Sequence, residues 1–295
     1  KVARGLPALV ISQGASVAIC MANGLPALLT LFGILYGGFR ATALNLAAGP
    51  AALGHAISHS QCRFICSAAD QSETLANAFA QTDARPEIID VADHFLSRDI
   101  AACELHDVAQ NDHALLMYTS GTTGVPKGVV HTHASLLAGG WTTAVAHQLT
   151  DTDRALCVLP LYHINGLCVT VMAPLVSGGS SVICSKFSNS VFWDQCDKFA
   201  VTWFSVVPTI ISHLLHGENN PSAAARENLR FGRSASAPLA ADTQSNFETR
   251  FGLPIVETMG LTETAAQILS NPLPPGTRKI GSPGIAFGNQ VAILT

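Results

Sequence analysis

Residues 117–130 read MYTSGTTGVPKGVV. The flanks are apolar and β-prone, as a strand running into a turn and a strand running out of it would be. Between them, Tyr118 to Gly128 holds three glycines (Gly121, Gly124, Gly128), Pro126, and the hydroxyl residues Thr119, Ser120, Thr122 and Thr123, with Lys127 near its end. Glycine permits backbone conformations closed to other residues, so loop amides can approach a bound oxyanion. The hydroxyls add donors and Lys127 adds a point charge, which together describe a phosphate cradle. A solvated turn is the plainer alternative, and the density of donors argues against it. A P-loop of the form G-x-x-x-x-G-K-[ST] is excluded, because Lys127 lies between Pro126 and Gly128.

Outward from the loop, short β-branched runs alternate with helix-length segments. Candidate strands are Val17–Cys20, Thr42–Leu46, Arg63–Ser67, Glu87–Val91, Ala114–Thr119 and Ala155–Pro160. Further ones are expected at SSVIC, TWFSVV, LRFGRSA, PIVETM and VAILT. Helices are expected over Leu25–Tyr36, from Pro50 to Ser58, from Ser72 to Ala80, from Ala134 to His147 and from Gly166 to Val176. Such alternation predicts an α/β fold of mostly parallel sheets covered by helices. The polar stretch near 97–112 is the best internal boundary, giving a first lobe over 1–110 and a second over 111–295.

The chain has 295 residues, of which 48% are hydrophobic and only 12% charged, with a net charge of −4. No block of Lys and Arg offers a footprint for nucleic acid or an anionic membrane. The most apolar window, Leu25 to Tyr36, is shorter than the ~20 residues a membrane helix needs. Eight cysteines are scattered, several inside apolar runs, which reads as reduced packing in a cytoplasmic protein. Cys62 and Cys66 lack a second pair, and His131 and His133 lack a third ligand, so neither pair reads as a zinc site.

The eleven residues YTSGTTGVPKG resemble the signature loop of the AMP-forming adenylating enzymes, the superfamily of acyl-CoA synthetases, firefly luciferase and peptide synthetase adenylation domains. Further stretches follow in that family's order. PLYHINGL (160–167) resembles the segment with a histidine at the mouth of the acyl pocket. SASAPLA (234–240) resembles the adenine-pocket turn, and ETMGLTET (257–264) the second nucleotide motif. The resemblance covers nearly the whole chain and implies the large N-terminal domain of that fold.

By position, it implies that Thr119, Ser120, Gly121, Thr122, Thr123, Gly124 and Lys127 wrap the β- and γ-phosphates of ATP. It implies that Thr262 contacts the α-phosphate and that Glu263 binds Mg²⁺, a hard cation suited to carboxylate oxygen. Thr262 could equally cap a helix. Ser236, Ala237, Thr258, Met259 and Gly260 would line the adenine site. Met259 departs from the family, which usually has an aromatic residue there, and this puts nucleotide affinity in doubt. His163 would orient the acyl group, with Trp203 and Val207 in the pocket wall, although an apolar run such as VTWFSVV is also ordinary core.

Arg233 precedes the adenine motif and is costly to bury without an anion. FGRSASAPLA (231–240) and LSNPLPPGTRKIGSPG (269–284) resemble the branch of acyl-CoA synthetases that activates oxalate and similar small acids, which implies a short or doubly acidic substrate with Arg233 serving its distal charge. Pairing with a neighbouring Asp or Glu is the alternative. The expected reaction joins a carboxylate to ATP as an acyl-adenylate and then to coenzyme A. The family's ribose motif, hinge and C-terminal lid are not visible before Thr295, nor its earliest residues before Lys1, so a domain cut from a longer protein, and weakly active by itself, is expected. A homodimer is left open. Rival readings are a peptide synthetase adenylation domain, disfavoured because Asp242 is the only Asp between Ala200 and Thr258, and a nucleotide-binding domain without catalysis.

Overall fold

A strand with apolar residues on both faces must be covered on both, and the central strands here are of that kind. In the computed structural model, which describes residues 2–8, 12–92, 104–119 and 125–292, the chain forms two compact units, Lys1–Ser135 and Leu136–Thr295.

The first unit contains α1 (Val2–Ala8), β1 (Ser16–Cys20), α2 (Leu25–Tyr36), β2 (Arg40–Ala43), α3 (Pro50–Ser60), β3 (Phe64–Ser67), α4 (Ser72–Phe79), β4 (Glu87–Asp90), β5 (His113–Thr119) and β6 (Lys127–Thr132). The strand order is β4-β3-β1-β2-β5-β6, parallel except for β6, which returns antiparallel to β5. The unit therefore ends at 135 rather than at 110, because β5 pairs with β2 (Ala41 opposite Leu115) and carries β6 with it. Part of the polar stretch expected to mark that boundary lies outside the described residues.

Proline begins α2 and α3 where its missing N–H costs nothing. On α3, Leu53, Ala56 and Ile57 meet Leu75 and Ala78 of α4 and Ala18, Cys20 and Ile65 of the sheet. Fully burying each large aliphatic side chain there contributes roughly 1.5–3 kcal/mol.

The second unit holds most of α5 (His133–Ala146), then β7 (Arg154–Cys157), a buried π-helical stretch over Asn165–Met172, α6 (Ala173–Ser177), β8 (Ser180–Ile183) and α7 (Phe192–Lys198). It continues with β9 (Trp203–Val206), α8 (Pro208–His216), α9 (Ala223–Asn228), β10 (Phe231–Ser234), α10 (Ala241–Phe251), β11 (Ile255–Gly260), β12 (Gln267–Ser270) and β13 (Ile285–Ala286). The sheet order is β13-β12-β11-β10-β9-β7-β8; β7 to β11 are parallel, and β12 and β13 antiparallel.

Alternation along β9 and β10 separates two cores. Phe204 and Val206 face Phe192, Trp193, Ile211, Leu214, Phe247 and Phe251. Trp203 and Phe231 face the other way, stacked at 5.5 Å and 17°, with Val169 and Val256 beside them. The strand expected at VAILT begins at Val291 and Ala292, which are not in a strand, and the rest of it lies outside the described residues.

Seven cysteines, all those in the described residues, are free thiols, six of them buried. Burial pushes Cys66 up to about 12, so it is an inert packing group. Among the described residues no three His, Cys, Asp or Glu side chains gather as metal ligands, and no helix is long and apolar enough to cross a membrane.

Candidate active site

In the first unit, Thr119 ends β5 and Lys127 begins β6, directly opposite each other in the antiparallel register. They are the two stems of the glycine-rich loop. Ser120, Gly121, Thr122, Thr123 and Gly124 lie outside the described residues. Lys127 is exposed, as a cation meant for a mobile ligand would be. Gly128 follows it for a steric reason: a Cβ there would meet Leu116 Cδ1 at 2.9 Å, with His59 and Tyr118 just beyond.

In the second unit, the remaining candidates apart from Trp203 collect at or near the carboxyl ends of adjacent parallel strands, where open α/β sheets bind ligands. Past the end of β10, Ser236, Ala237 and Pro238 are exposed. Past the end of β11, Thr262 and Glu263 sit on a single 3₁₀ turn. That turn is too short to be the helix the sequence suggested. Its first residue is not the cap either, since the Leu261 amide donates to Thr264 Oγ1 at 3.0 Å.

Met259 is 44% exposed, a bare thioether beside Gly260. Gly260 has to be glycine, because a Cβ would run into the carbonyl of Ala266. Thr258 is buried instead, its hydroxyl donating to the Ser234 carbonyl at 3.4 Å. Glu263 is exposed and makes no ion pair among the described residues, which suits a carboxylate that shares a Mg²⁺ with phosphate oxygens and water.

The turn Ala235–Leu239 is held from both sides. On one side the Leu239 amide donates to Glu257 Oε1 at 3.0 Å, a charge-assisted bond to a buried carboxylate. On the other, Asn165 Nδ2 donates to Ser236 Oγ at 3.2 Å. Ser236 itself has φ of 73°, a left-handed conformation that a non-glycine residue adopts only when its surroundings require it.

Asn165 is in turn fixed by Arg233. Arg233 Nη1 donates to Asn165 Oδ1 (2.8 Å) and to Ser205 Oγ (2.9 Å), and Ser205 Oγ donates to Asn165 Oδ1 (2.8 Å). With Oδ1 committed to a guanidinium, only the NH₂ of Asn165 can face Ser236, which orients the amide. Ser236 Oγ is therefore an acceptor toward Asn165, and its own hydrogen is left for a ligand.

Arg233 is 2% exposed, and no carboxylate pairs with it among the described residues. Burial pushes its pKa down to about 9, so it is still a cation at neutral pH. A buried cation whose named partners are neutral is an expensive arrangement, and an approaching anion would offset the expense. The expected alternative of an Asp or Glu partner is not what these residues show.

His163 is exposed on one side and packs edge-on against Tyr162 at 4.8 Å. Burial of its remaining surface lowers its pKa, so it is neutral at neutral pH. Val207 is half-buried at the start of α8, whereas Trp203 is fully buried against Phe231 and belongs to the core. Downstream of His163, Gly166 lets the chain fold back on itself, since a Cβ would strike the Pro160 carbonyl. The π-helical winding that follows places Asn165 inside, and such windings recur at functional sites. Asn165, Ser205 and Glu257 were not legible as site residues. Their bonds span 71, 40 and 18 positions, and no local spacing announces them.

The chain is 41% identical over 298 residues to a sulfoacetate–CoA ligase of Cupriavidus necator, covering 99% of this chain and 58% of that relative. It is 31% identical over 296 residues to a malonate–CoA ligase of Arabidopsis thaliana, covering 92% of this chain and 48% of the relative. Among solved structures, ATP-bound MatB from Rhodopseudomonas palustris superposes with a TM-score of 0.84 at 27% identity, over 97% of this chain and 57% of that one. The AMP-binding enzyme family matches residues 1–295. The chain belongs to that family of AMP-binding enzymes.

Proposed function

We propose that this chain takes part in the ATP-dependent activation of a small carboxylic acid carrying a second anionic group, followed by transfer of the acyl group to coenzyme A. In the first step a carboxylate oxygen attacks the α-phosphorus of ATP. The bond to the β-phosphate oxygen breaks, and pyrophosphate leaves. Lys127 and the loop it closes neutralise the departing pyrophosphate. Ser236 and Ala237 border the adenine while Met259 covers it, and Thr262 donates to the α-phosphate. Little covalent chemistry falls to the protein, so positioning and charge supply the rate.

Glu263 would hold Mg²⁺, which when bound offsets phosphate charge. Coenzyme A is assigned because the relatives compared above are CoA ligases by name. A reducing, cytosolic setting accords with the free cysteines.

The observation that carries the substrate class is Arg233, a buried cation with no carboxylate partner among the described residues. A sulfonate or second carboxylate on a short acid supplies the missing charge. Acid-dependent ATP–pyrophosphate exchange tests this on the chain in its natural polypeptide, with sulfoacetate, oxalate, malonate, acetate, benzoate and octanoate. Exchange with one doubly charged short acid and not with acetate is expected. Exchange with octanoate alone would remove the charge argument. ATP binding without any exchange would favour a nucleotide-binding domain without catalysis, the reading that the bare thioether of Met259 supports.

A further inference from the structure

The two stems of the glycine-rich loop are tied to α3 by a pair of histidines one helical turn apart. His55 Nε2 donates to the Pro126 carbonyl at 3.2 Å, on the stem leaving the loop. His59 Nδ1 lies 2.9 Å from Tyr118 Oη, on the stem entering it. Tyr118 Oη in turn donates to the Ala56 carbonyl at 3.3 Å. A phenol has one hydrogen, so with that hydrogen given to Ala56, His59 Nδ1 must be the donor to Tyr118. The bonding thus has His55 donating from Nε2 and His59 from Nδ1.

The rings reinforce this geometry. His55 and His59 stack at 5.4 Å and 23°, and each meets the Tyr118 ring nearly edge-on, at 6.3 Å and 5.7 Å. Burial pushes the Tyr118 phenol up to about 12, which keeps it a neutral donor. Next to the bonds, the stems border a cleft of about 290 Å³, lined by Asn45, Ala48, Ala52, Leu53 and Ala56 on one side and Tyr118, Thr119 and Pro126 on the other. On the cleft side the stems face open space, so there the two histidine bonds add to the restraint that the β5–β6 ladder and the packing of Tyr118 provide.

We propose that His55 and His59 are positioning residues that clamp the two stems of the glycine-rich hairpin, at Pro126 and Tyr118, and so set the placement of Lys127 and Thr119 for a polyphosphate. The ligand half of this rests on the reading of the loop as the polyphosphate cradle; the clamp itself does not. Neither histidine touches the nucleotide. They act through Pro126 and Tyr118, and so on the placement of Lys127 and Thr119.

The test uses His55→Phe, His59→Phe and Tyr118→Phe, which keep a ring and remove the bond, beside His55→Gln and His59→Asn, which keep a donor near Nε2 and Nδ1. Hydrogen exchange of the amides of Tyr118, Thr119, Val125 and Lys127 is read first, without nucleotide. The phenylalanine variants are expected to exchange there faster by a factor of about 5–30, with the Gln and Asn variants near wild type. Unchanged exchange in all three phenylalanine variants overturns the clamp.

MgATP titration and pyrophosphate-exchange kinetics are read second. A rise of KM for ATP and pyrophosphate, with kcat within about threefold, marks positioning and not loss of chemistry. If the phenylalanine variants loosen the stems while wild type binds no MgATP, the clamp stands and the polyphosphate reading of the loop falls. Equal loss of affinity in the Gln and Asn variants would also overturn the clamp.

Discussion

The stems of the hairpin in the first unit and the turn at the end of β10 in the second are both held in place by side chains from elsewhere in the chain, but by opposite means. The hairpin stems are tied by hydrogen bonds from a half-exposed helix face, at His55 and His59. The 235–239 turn is tied by buried, charged groups, Arg233 through Asn165 and Glu257 directly. Hydrogen bonds near solvent are worth little net and exchange readily with water. Buried charged ones are locked by the cost of leaving them unmade. The first arrangement suits a loop that must release a product; the second suits a turn that must keep one shape. Substitutions in the hairpin should then alter ligand handling with little change in stability, and those around the turn should alter both.

Arg233→Met separates the two best. Its removal orphans no carboxylate, and Ser205 can still bond Asn165. Replacing a buried cation by an apolar side chain of similar length is often neutral or stabilising by about 1–4 kcal/mol. Exchange with a doubly charged acid should nevertheless fall by about 10²–10³, the scale seen when one oriented donor is lost. Differential scanning calorimetry beside the exchange assay reads both. A large fall in Tm would make Arg233 a structural residue and blur the contrast.

Lys127→Ala is next. It should lower exchange by about 10², with Tm unchanged, because the side chain is exposed. A Tm loss of several degrees would show that the stem is part of the folding core.

The smallest effect concerns acid stability of the second unit. For Asp153, burial alone would raise the pKa, but bonds from Arg230, the Thr150 amide and Thr202 outweigh it and hold the carboxyl below its ordinary value. Glu248 is held low in the same way, with burial opposed by Arg278, Gln244 and the Ile255 amide. A depressed carboxyl contributes stability that is fully present above its unfolded pKa and lost as pH falls through the folded one. Asp153→Asn and Glu248→Gln should therefore lower Tm at neutral pH by about 2–4 °C per kcal/mol lost and flatten its decline below about pH 4. An unchanged slope would show that acid unfolding starts elsewhere.

Local pattern carried much of the fold. The helix over Leu25–Tyr36 and the start of α3 at Pro50 are where apolar spacing and proline put them. The parallel strands β1, β3, β9, β10 and β11 coincide to within a residue with, or lie inside, the apolar runs that announced them. The direction of β6, β12 and β13 was not legible, because pairing sense depends on the partner and not on the strand's own residues. The π-helical winding over GLCVTVM reads as ordinary helix until Asn165 is seen to need its inward position. In the site, residues read from a contiguous motif, such as Ser236 and Lys127, were reachable. Asn165, Ser205 and the clamp histidines were not, since only the folded sheet brings them to their partners.

Trp193 lies in the aromatic core beneath α10 and Trp203 is stacked on Phe231, and the remaining tryptophan, Trp141, is on α5, so every indole falls in the second unit. The first unit has tyrosines at 36 and 118 only. The molecule is thus optically divided. Emission excited at the red edge of the indole band follows the second unit alone, while the tyrosine band adds the hairpin stem through Tyr118. Unfolding followed in the two bands would show, without any label, whether the units melt together or in turn.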